Sequence, residues 1–221
     1  GDTIGWTEIE AELALPLGGG TGSNAGLGNR GLYMGGNPNS SPNHSNTIDF
    51  FTISTFGNSQ DFGDLYSNKY WNAGSSSRTR GLIQGGYNAV DMIQFVTIAS
   101  LGNAADFGNL SAGRHQLGAL SNQTRSIVVG GASSNVMDFV TIAQTGNAVD
   151  FGDLSGVCLY PFMASSTTRG IIAGGGTPSA KNVIEFVTIS TTGDAQDFGD
   201  LSKTPRNFTS LSDSHGGLGG N

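Results

Sequence analysis

RGLIQGGYNAVDMIQFVTIASLGNAADFGNL, residues 80–110, decides the reading of this chain, because it recurs four times with small changes. The copies open at Arg30, Arg80, Arg125 and Arg169, in steps of 50, 45 and 44 residues. Each copy carries three marks. The first is Arg, a small residue, two or three apolar residues and Gly-Gly. The second is an apolar run around a Thr: FFTIS, FVTIA, FVTIA and FVTIS. The third is Asp-Phe-Gly-Asp/Asn-Leu, opening at Asp61, Asp106, Asp150 and Asp197. A fixed period of this length is the mark of a repeat architecture.

Within a copy the pattern reads as strands. Residues 82–84 form a short apolar strand that Gly85-Gly86 ends. Residues 92–99 form the longest one. Ile93, Phe95, Thr97 and Ala99 face one way; Met92, Val96 and Ile98 face the other. Apolar residues on both faces fit a strand packed between neighbouring sheets. Asp106 to Leu110 adds a Phe and a Leu among turn formers, and a less regular strand such as 115–120 leads to the next Arg. Four strands per 44–50 residues is the unit of a β-propeller blade. The Arg-initiated apolar strand with Gly-Gly resembles the kelch repeat, but the usual later Trp is replaced by Phe107, Phe151 and Phe198. These phenylalanines are expected to fill the space between blades. Gly is expected to make the turn, and Asp to accept backbone hydrogen bonds. Each repeat-opening Arg is expected to bond one of these Asp residues or turn carbonyls.

The ends supply a fifth unit. After Leu201 the chain continues through 208–211, which reads as one more irregular strand, and His215-Gly216-Gly217-Leu218, which reads as a degraded copy of the first mark. Two strands are then missing. Residues 8–17 alternate, with Ile9, Ala11, Leu13 and Leu15 on one side and Glu8, Glu10 and Glu12 on the other, which is a half-buried strand. A short helix capped by Thr7 is the rival reading. The expected fold is therefore all-β: a kelch-like β-propeller of five blades, each of four antiparallel strands, with one composite blade closed by both termini. A single domain spans 1–221. It comprises N-terminal closing strands and a Gly-rich loop (1–29), repeats at about 30–79, 80–124, 125–168 and 169–213, and a C-terminal closing strand (214–221). The whole chain divided by five gives about 44 residues, the observed period.

Composition excludes several classes. The formal net charge is −7, with 10 Lys and Arg against 17 Asp and Glu. Four of the seven Arg sit at one repeat position, so no basic patch for nucleic acid is expected. No run reaches the length of a membrane span, and no charged and apolar leader is visible. The lone Cys158 allows no internal disulfide or cysteine-based zinc site and reads as a small buried hydrophobe.

Catalytic chemistry is not expected. Asp-Phe-Gly is part of a kinase signature, yet here it occurs four times without a phosphate loop or a His-Arg-Asp. No nucleophile elbow, zinc pair or P-loop appears. Asp150 and Asp153 have oxygens of the kind calcium takes, but Asn109 replaces the second Asp in one copy, so no metal or cofactor is expected. Five-bladed propellers do host glycosidases, but here ten of the 17 acids belong to the repeat; the exceptions are Asp2, Glu8, Glu10, Glu12, Asp91, Asp194 and Asp213. The copies differ in two loop sets, after Gly-Gly and after the Leu of DFGDL. These carry the candidate binding residues Tyr66, Tyr70, Trp71, Tyr87, His115, Tyr160 and Phe162. Aromatic side chains beside Asn, Ser and Lys suit carbohydrate or protein contacts; the alternative is that they pack inward.

The repeat Arg-Gly…Gly-Gly…Asn-x-Ile-Asp/Glu-Phe-x-Thr-Ile…Gly-Asn-Ala-x-Asp-Phe-Gly-Asp-Leu, with Ser-Asp-Ser-His-Gly-Gly-Leu at 212–218, resembles kelch-like proteins of marine bacteriophages, cyanophages included. The resemblance covers about 30–218. It implies a structural protein of the virion, on tail, fibre or capsid surface, and extracellular once released. The partners it implies are other virion proteins and a host-surface glycan or protein receptor. It brings no catalytic residues. A secreted or surface lectin is the alternative from a different class; its sugar sites would be expected to repeat, and the loop aromatics do not.

Overall fold

The computed structural model describes residues 30–37, 45–176, 179–204 and 209–212. Among them there are fifteen strands and no helix. They form four antiparallel sheets, each contiguous in sequence. The first has three strands, β1 (Arg30–Met34), β2 (Thr47–Thr52) and β3 (Gln60–Asp64). The second has β4 (Ala73–Ser76), β5 (Arg80–Gln84), β6 (Met92–Thr97) and β7 (Ala105–Asn109). The third has β8 (Gly118–Ser121), β9 (Arg125–Val129), β10 (Val136–Thr141) and β11 (Val149–Asp153). The fourth has β12 (Phe162–Ser165), β13 (Arg169–Ala173), β14 (Val183–Thr188) and β15 (Gln196–Asp200). Strand order follows chain order in every sheet.

The first strands of the complete sheets lie side by side, β4 against β8 and β8 against β12. They are therefore the inner strands of a propeller-like array. Their small residues, Gly74, Ala119 and Ala164 among them, allow this approach around a cavity of about 350 Å³. The Ser121 hydroxyl donates to the Ser76 carbonyl (3.0 Å), and the Ser165 hydroxyl to the Ser121 carbonyl (3.2 Å). One serine position thus steps around the axis from sheet to sheet. Among the described residues the array is open, with four sheets and no closed ring. The expected strands in 1–29 and at 214–221 lie outside the described residues. Of the strand expected at 208–211, Phe208 also lies outside; 209–211 are described and are not in a strand.

The DFG motif is not a turn. It lies within the outer strand, where register slips between Ile93 and Gln94: Ile93 faces Gly108 and Gln94 faces Asp106. Phe107 is the extra residue of this bulge, which bends the strand and re-aims the ring. The same slip recurs in all four sheets. Phe107 then packs with Leu82 and Ile93 of its own sheet and with Val128, Val140 and Ile142 of the next. Phe151 packs with Ile127, Met137 and Leu154 of its own sheet and with Ile172, Val187 and Ile189 of the next. Phe62 meets Ile83 and Val96 in the same way. The core is thus a series of inter-sheet layers, as the two-faced apolar strands require. Phe198 departs from expectation. It is 54% exposed, because no further sheet covers it among the described residues.

Glycine follows this Phe for a specific reason. Gly108 has φ +143°, and a Cβ there would stand 2.3 Å from the Gly146 carbonyl oxygen of the next sheet. That approach is a clasp. Gly146 N–H donates to the Phe107 carbonyl (2.7 Å) and Ala148 N–H to the Asn109 carbonyl (2.7 Å), while Asn147 Oδ1 accepts the Asn109 N–H (3.1 Å). The turn of one sheet therefore satisfies the outer edge of the preceding one, which would otherwise invite foreign strands. Gly102-Asn103 clasps β3, and Gly193-Asp194 clasps β11. Asp194, expected to lie outside the repeat pattern, is thereby a framework residue.

The repeat-opening Arg bonds a carbonyl and not the DFG aspartate. Arg80 stacks over Phe95 (4.7 Å to the ring centre) and donates to the Ile142 carbonyl of the next sheet (3.1 Å). Arg30 and Arg125 repeat this on Phe50 and Phe139, donating to Ile98 and Ile189. Arg169 stacks on Phe186. The planar guanidinium serves both contacts at once, which an ammonium would not. The Asp side chains accept a local N–H, Gly108 to Asp106 and Gly199 to Asp197, as expected of them.

Candidate functional site

Antiparallel strands place alternate connections at opposite ends of a sheet. The loops after Gly-Gly and those leading from each outer strand to the next inner strand therefore share one face. These are the two loop sets in which the copies differ. The opposite face carries the turns that repeat.

On the loop face, Tyr70, Trp71, Tyr87 and His115 come together. Tyr70 and Tyr87 stack with centroids 4.4 Å apart; Trp71 and His115 stack at 5.8 Å. Trp71 also meets Tyr87 edge-on at 6.1 Å. Such pairs stabilise each other beyond their burial and so hold a fixed surface. Tyr160 joins through Gln116, whose amide donates to the Tyr160 hydroxyl. Trp71, Tyr87 and Tyr160 are exposed. Two expected site residues lie elsewhere in kind. Tyr66 is exposed, with its backbone N–H bound to Gln94 Oε1 (2.7 Å), and forms no part of the cluster. Phe162 is half-buried as the first residue of inner strand β12.

Trp71, Gln116 and Tyr160 occupy one repeat position, six residues after Leu65, Leu110 and Leu154. All three have left-handed backbones, with φ of 57°, 58° and 52°. They are also chained: Gln116 N–H donates to the Trp71 carbonyl (3.0 Å), and Tyr160 N–H to the Gln116 carbonyl (2.9 Å). A left-handed backbone strains a residue with a side chain, and glycine would relieve it. The chain has 36 glycines yet places Trp, Gln and Tyr here, so the side chains are what this collar retains. No family model and no curated protein matches this chain. The site is therefore read from its own geometry. Gln116 carries no aromatic signal; its place six residues after Leu110, as Trp71 and Tyr160 follow Leu65 and Leu154, is the mark it leaves in the sequence.

Beneath the collar, a second repeat position points inward, four residues after the same leucines. It holds Lys69, Arg114 and Cys158, all buried. Burial pulls the Lys69 ammonium below its usual range, with Asp91 pulling it back up. Arg114 pairs with buried Asp138. Burial and the Glu185 charge push the Cys158 thiol up to about 11, burial being the larger cause and Lys181 opposing it. The thiolate is the nucleophile, so a buried thiol held this high is expected to react slowly at neutral pH. Iodoacetamide at pH 8 is expected to label the native protein many-fold more slowly than the urea-unfolded chain; equal rates would show an accessible thiol. Among the described residues, no group of three or more His, Cys, Asp or Glu could hold a metal ion, and no helix is long and apolar enough to cross a membrane.

Proposed function

We propose that this chain is a non-enzymatic binding module: a five-bladed kelch-like propeller, its fifth blade completed by both termini, displayed on the tail, fibre or capsid surface of a phage particle. It contacts another virion protein or a host-surface receptor through its loop face. The observation that carries this reading is the separation of the two faces. The repeated Arg, Phe and Gly serve packing between sheets, while the two loop sets in which the copies differ share one end of the axis, where Trp71 and Tyr87 lie. The virion setting rests on the wording of the repeat. Large, rigid, partly exposed aromatics are the side chains that dominate binding energy.

A lectin is the second reading, supported by the aromatic and amide character of the collar. The matched positions hold three different residues, which favours one asymmetric surface over equal sites in each blade. The test has two arms. Cryo-EM of an intact particle containing the chain should find the propeller on its surface with the loop face outward or seated on a partner. The purified chain on a glycan array should show no multivalent binding to one sugar; such binding would put the lectin first. For whichever ligand is found, Trp71→Ala with Tyr87→Ala should weaken binding at least about tenfold. Unchanged affinity, with an unchanged melting temperature, would move the site off this face.

A further inference from the structure

The polar corner between neighbouring sheets is built the same way three times, and its charges balance in only two of them. Each corner joins the residue four after the DFGDL leucine, in the loop that leaves one sheet, to an acceptor position in the next. Between the second and third sheets these are Arg114 and Asp138, which form an ion pair. Between the third and fourth they are Cys158 and Glu185. Lys181 and Glu185 both act on the Cys158 thiol, so this corner also holds one charge of each sign. Between the first and second they are Lys69 and Gln94. Here the base is kept and the acid is replaced by a neutral amide.

Lys69 and Gln94 reach the same corner. Gln94 Oε1 accepts the N–H of Tyr66 (2.7 Å), three residues before Lys69, as Asp138 accepts that of Ser111, three before Arg114. The Lys69 stem passes beside the second sheet's Gly-Gly, where a Cβ on Gly86 would stand 3.4 Å from its Cδ. Arg114 likewise reaches the Gly130 carbonyl of the third sheet. Lys69 is 3% exposed and Gln94 fully buried. Tyr66 occupies the acceptor end of Gln94, but its donor end, Nε2, is buried without a partner. Among the described residues the one ion pair is Arg114–Asp138, so no carboxylate pairs with Lys69. Asp91 acts on Lys69 through charge alone and is itself exposed to water. Two buried donors, one of them a cation, cost free energy unless an acceptor of opposite charge joins them. A water molecule could accept from both but would leave the charge uncompensated. Water suits the Arg114 corner better, where the unpartnered atoms are a donor, Arg114 Nε, and an acceptor, Asp138 Oδ1.

We propose that Lys69 and Gln94 hold one small, singly charged anion, a halide, between the first and second sheets. The burial of both groups limits its size. Both offer only donors, which suits an ion that accepts and never donates. The negative charge that Asp138 and Glu185 build into the other corners is here taken from solution.

Thermal unfolding of the full chain at pH 7 tests this, with sodium chloride or bromide replacing sodium sulfate at fixed ionic strength. Halide should raise the melting temperature along a saturating curve, by about 3–6 °C at tenfold excess over its Kd. Gln94→Glu supplies the acid that the other two corners already carry. This variant should melt above wild type without halide and lose the saturating rise. General salt effects act on both chains and cancel in the comparison. A halide response equal in wild type and Gln94→Glu overturns the proposal. A wild type with no saturating response also overturns it, leaving Lys69 to water, to Asp91 or to its neutral form. If Gln94→Glu does not fold, a bromide-soaked crystal of the wild type decides. An anomalous peak between Lys69 Nζ and Gln94 Nε2 is expected there, and its absence overturns the site.

Discussion

Replacing Asp138 by Ala is expected to lower stability by about 3–5 kcal/mol, because it leaves the buried Arg114 guanidinium without its counter-charge. Both side chains are buried between the second and third sheets. Arg114 also donates to the Val136 carbonyl (2.7 Å) and the Gly130 carbonyl (3.2 Å), so it is held where it is and cannot swing to water cheaply. Asp138 in turn accepts the N–H (3.2 Å) and hydroxyl (2.8 Å) of Ser111. Burial pulls the Arg114 pKa down while Asp138 pulls it up, which is the signature of a charge kept by its partner. The pair itself need not be stabilising. Arg114→Met with Asp138→Leu is expected to recover most of the loss, since desolvating two charges offsets most of their attraction. Urea unfolding of the wild type, both single variants and the double variant measures this. A single variant within about 0.5 kcal/mol of wild type would place the pair in water.

The neighbouring contacts show why this pair escaped the sequence. The position of Asp138 is Gln94 in the second sheet and Glu185 in the fourth. Each accepts the N–H that follows the Leu of DFGDL in the preceding sheet: Tyr66 to Gln94, Ser111 to Asp138, Ser155 to Glu185. The acceptor oxygen is what repeats, not the residue. Its neighbour varies too, as Lys69, Arg114 and Cys158. A search for recurring letters passes over a site whose common feature is one hydrogen bond. The elements that were legible are those whose chemistry tolerates no substitute. Gly108 faces a backbone 2.3 Å from its missing Cβ, and Arg80 must be planar to stack on Phe95 and still reach Ile142. The collar lies between these cases. Its aromatics were visible, but Trp71 and Tyr160 share with Gln116 a position that the spacing from each Leu marks and whose role the left-handed backbone reveals. The DFG stretch misled in one respect: Asp and Gly are turn formers, and a bulge inside a strand uses the same residues as a turn.

Phe151→Ala is expected to cost about 3–5 kcal/mol, and Phe107→Ala the same, because each leaves a large cavity in an inter-sheet layer. Phe151 is 2% exposed and Phe107 3%. Each stands edge-on to the Phe of its own sheet's Thr-centred run, Phe139 and Phe95, with centroids about 6 Å apart, so the layer cannot simply collapse into the vacancy. Phe198 makes the series decisive. Against the four described sheets alone its loss should matter little, within about 1 kcal/mol, as for other surface changes. In a ring closed by the termini, its loss should approach that of its counterparts. The closed-ring proposal therefore expects all three variants to fall in one range, measured by urea unfolding at equal protein concentration. It also expects Phe198→Ala to become nearly silent once 1–17 are deleted, since the layer it fills would already be gone. Non-additivity of that kind arises between groups that touch, belong to one network, or are coupled through a shared cavity or backbone shift. A Phe198→Ala variant as stable as wild type in the full chain would leave the far face in water and remove the closing sheet.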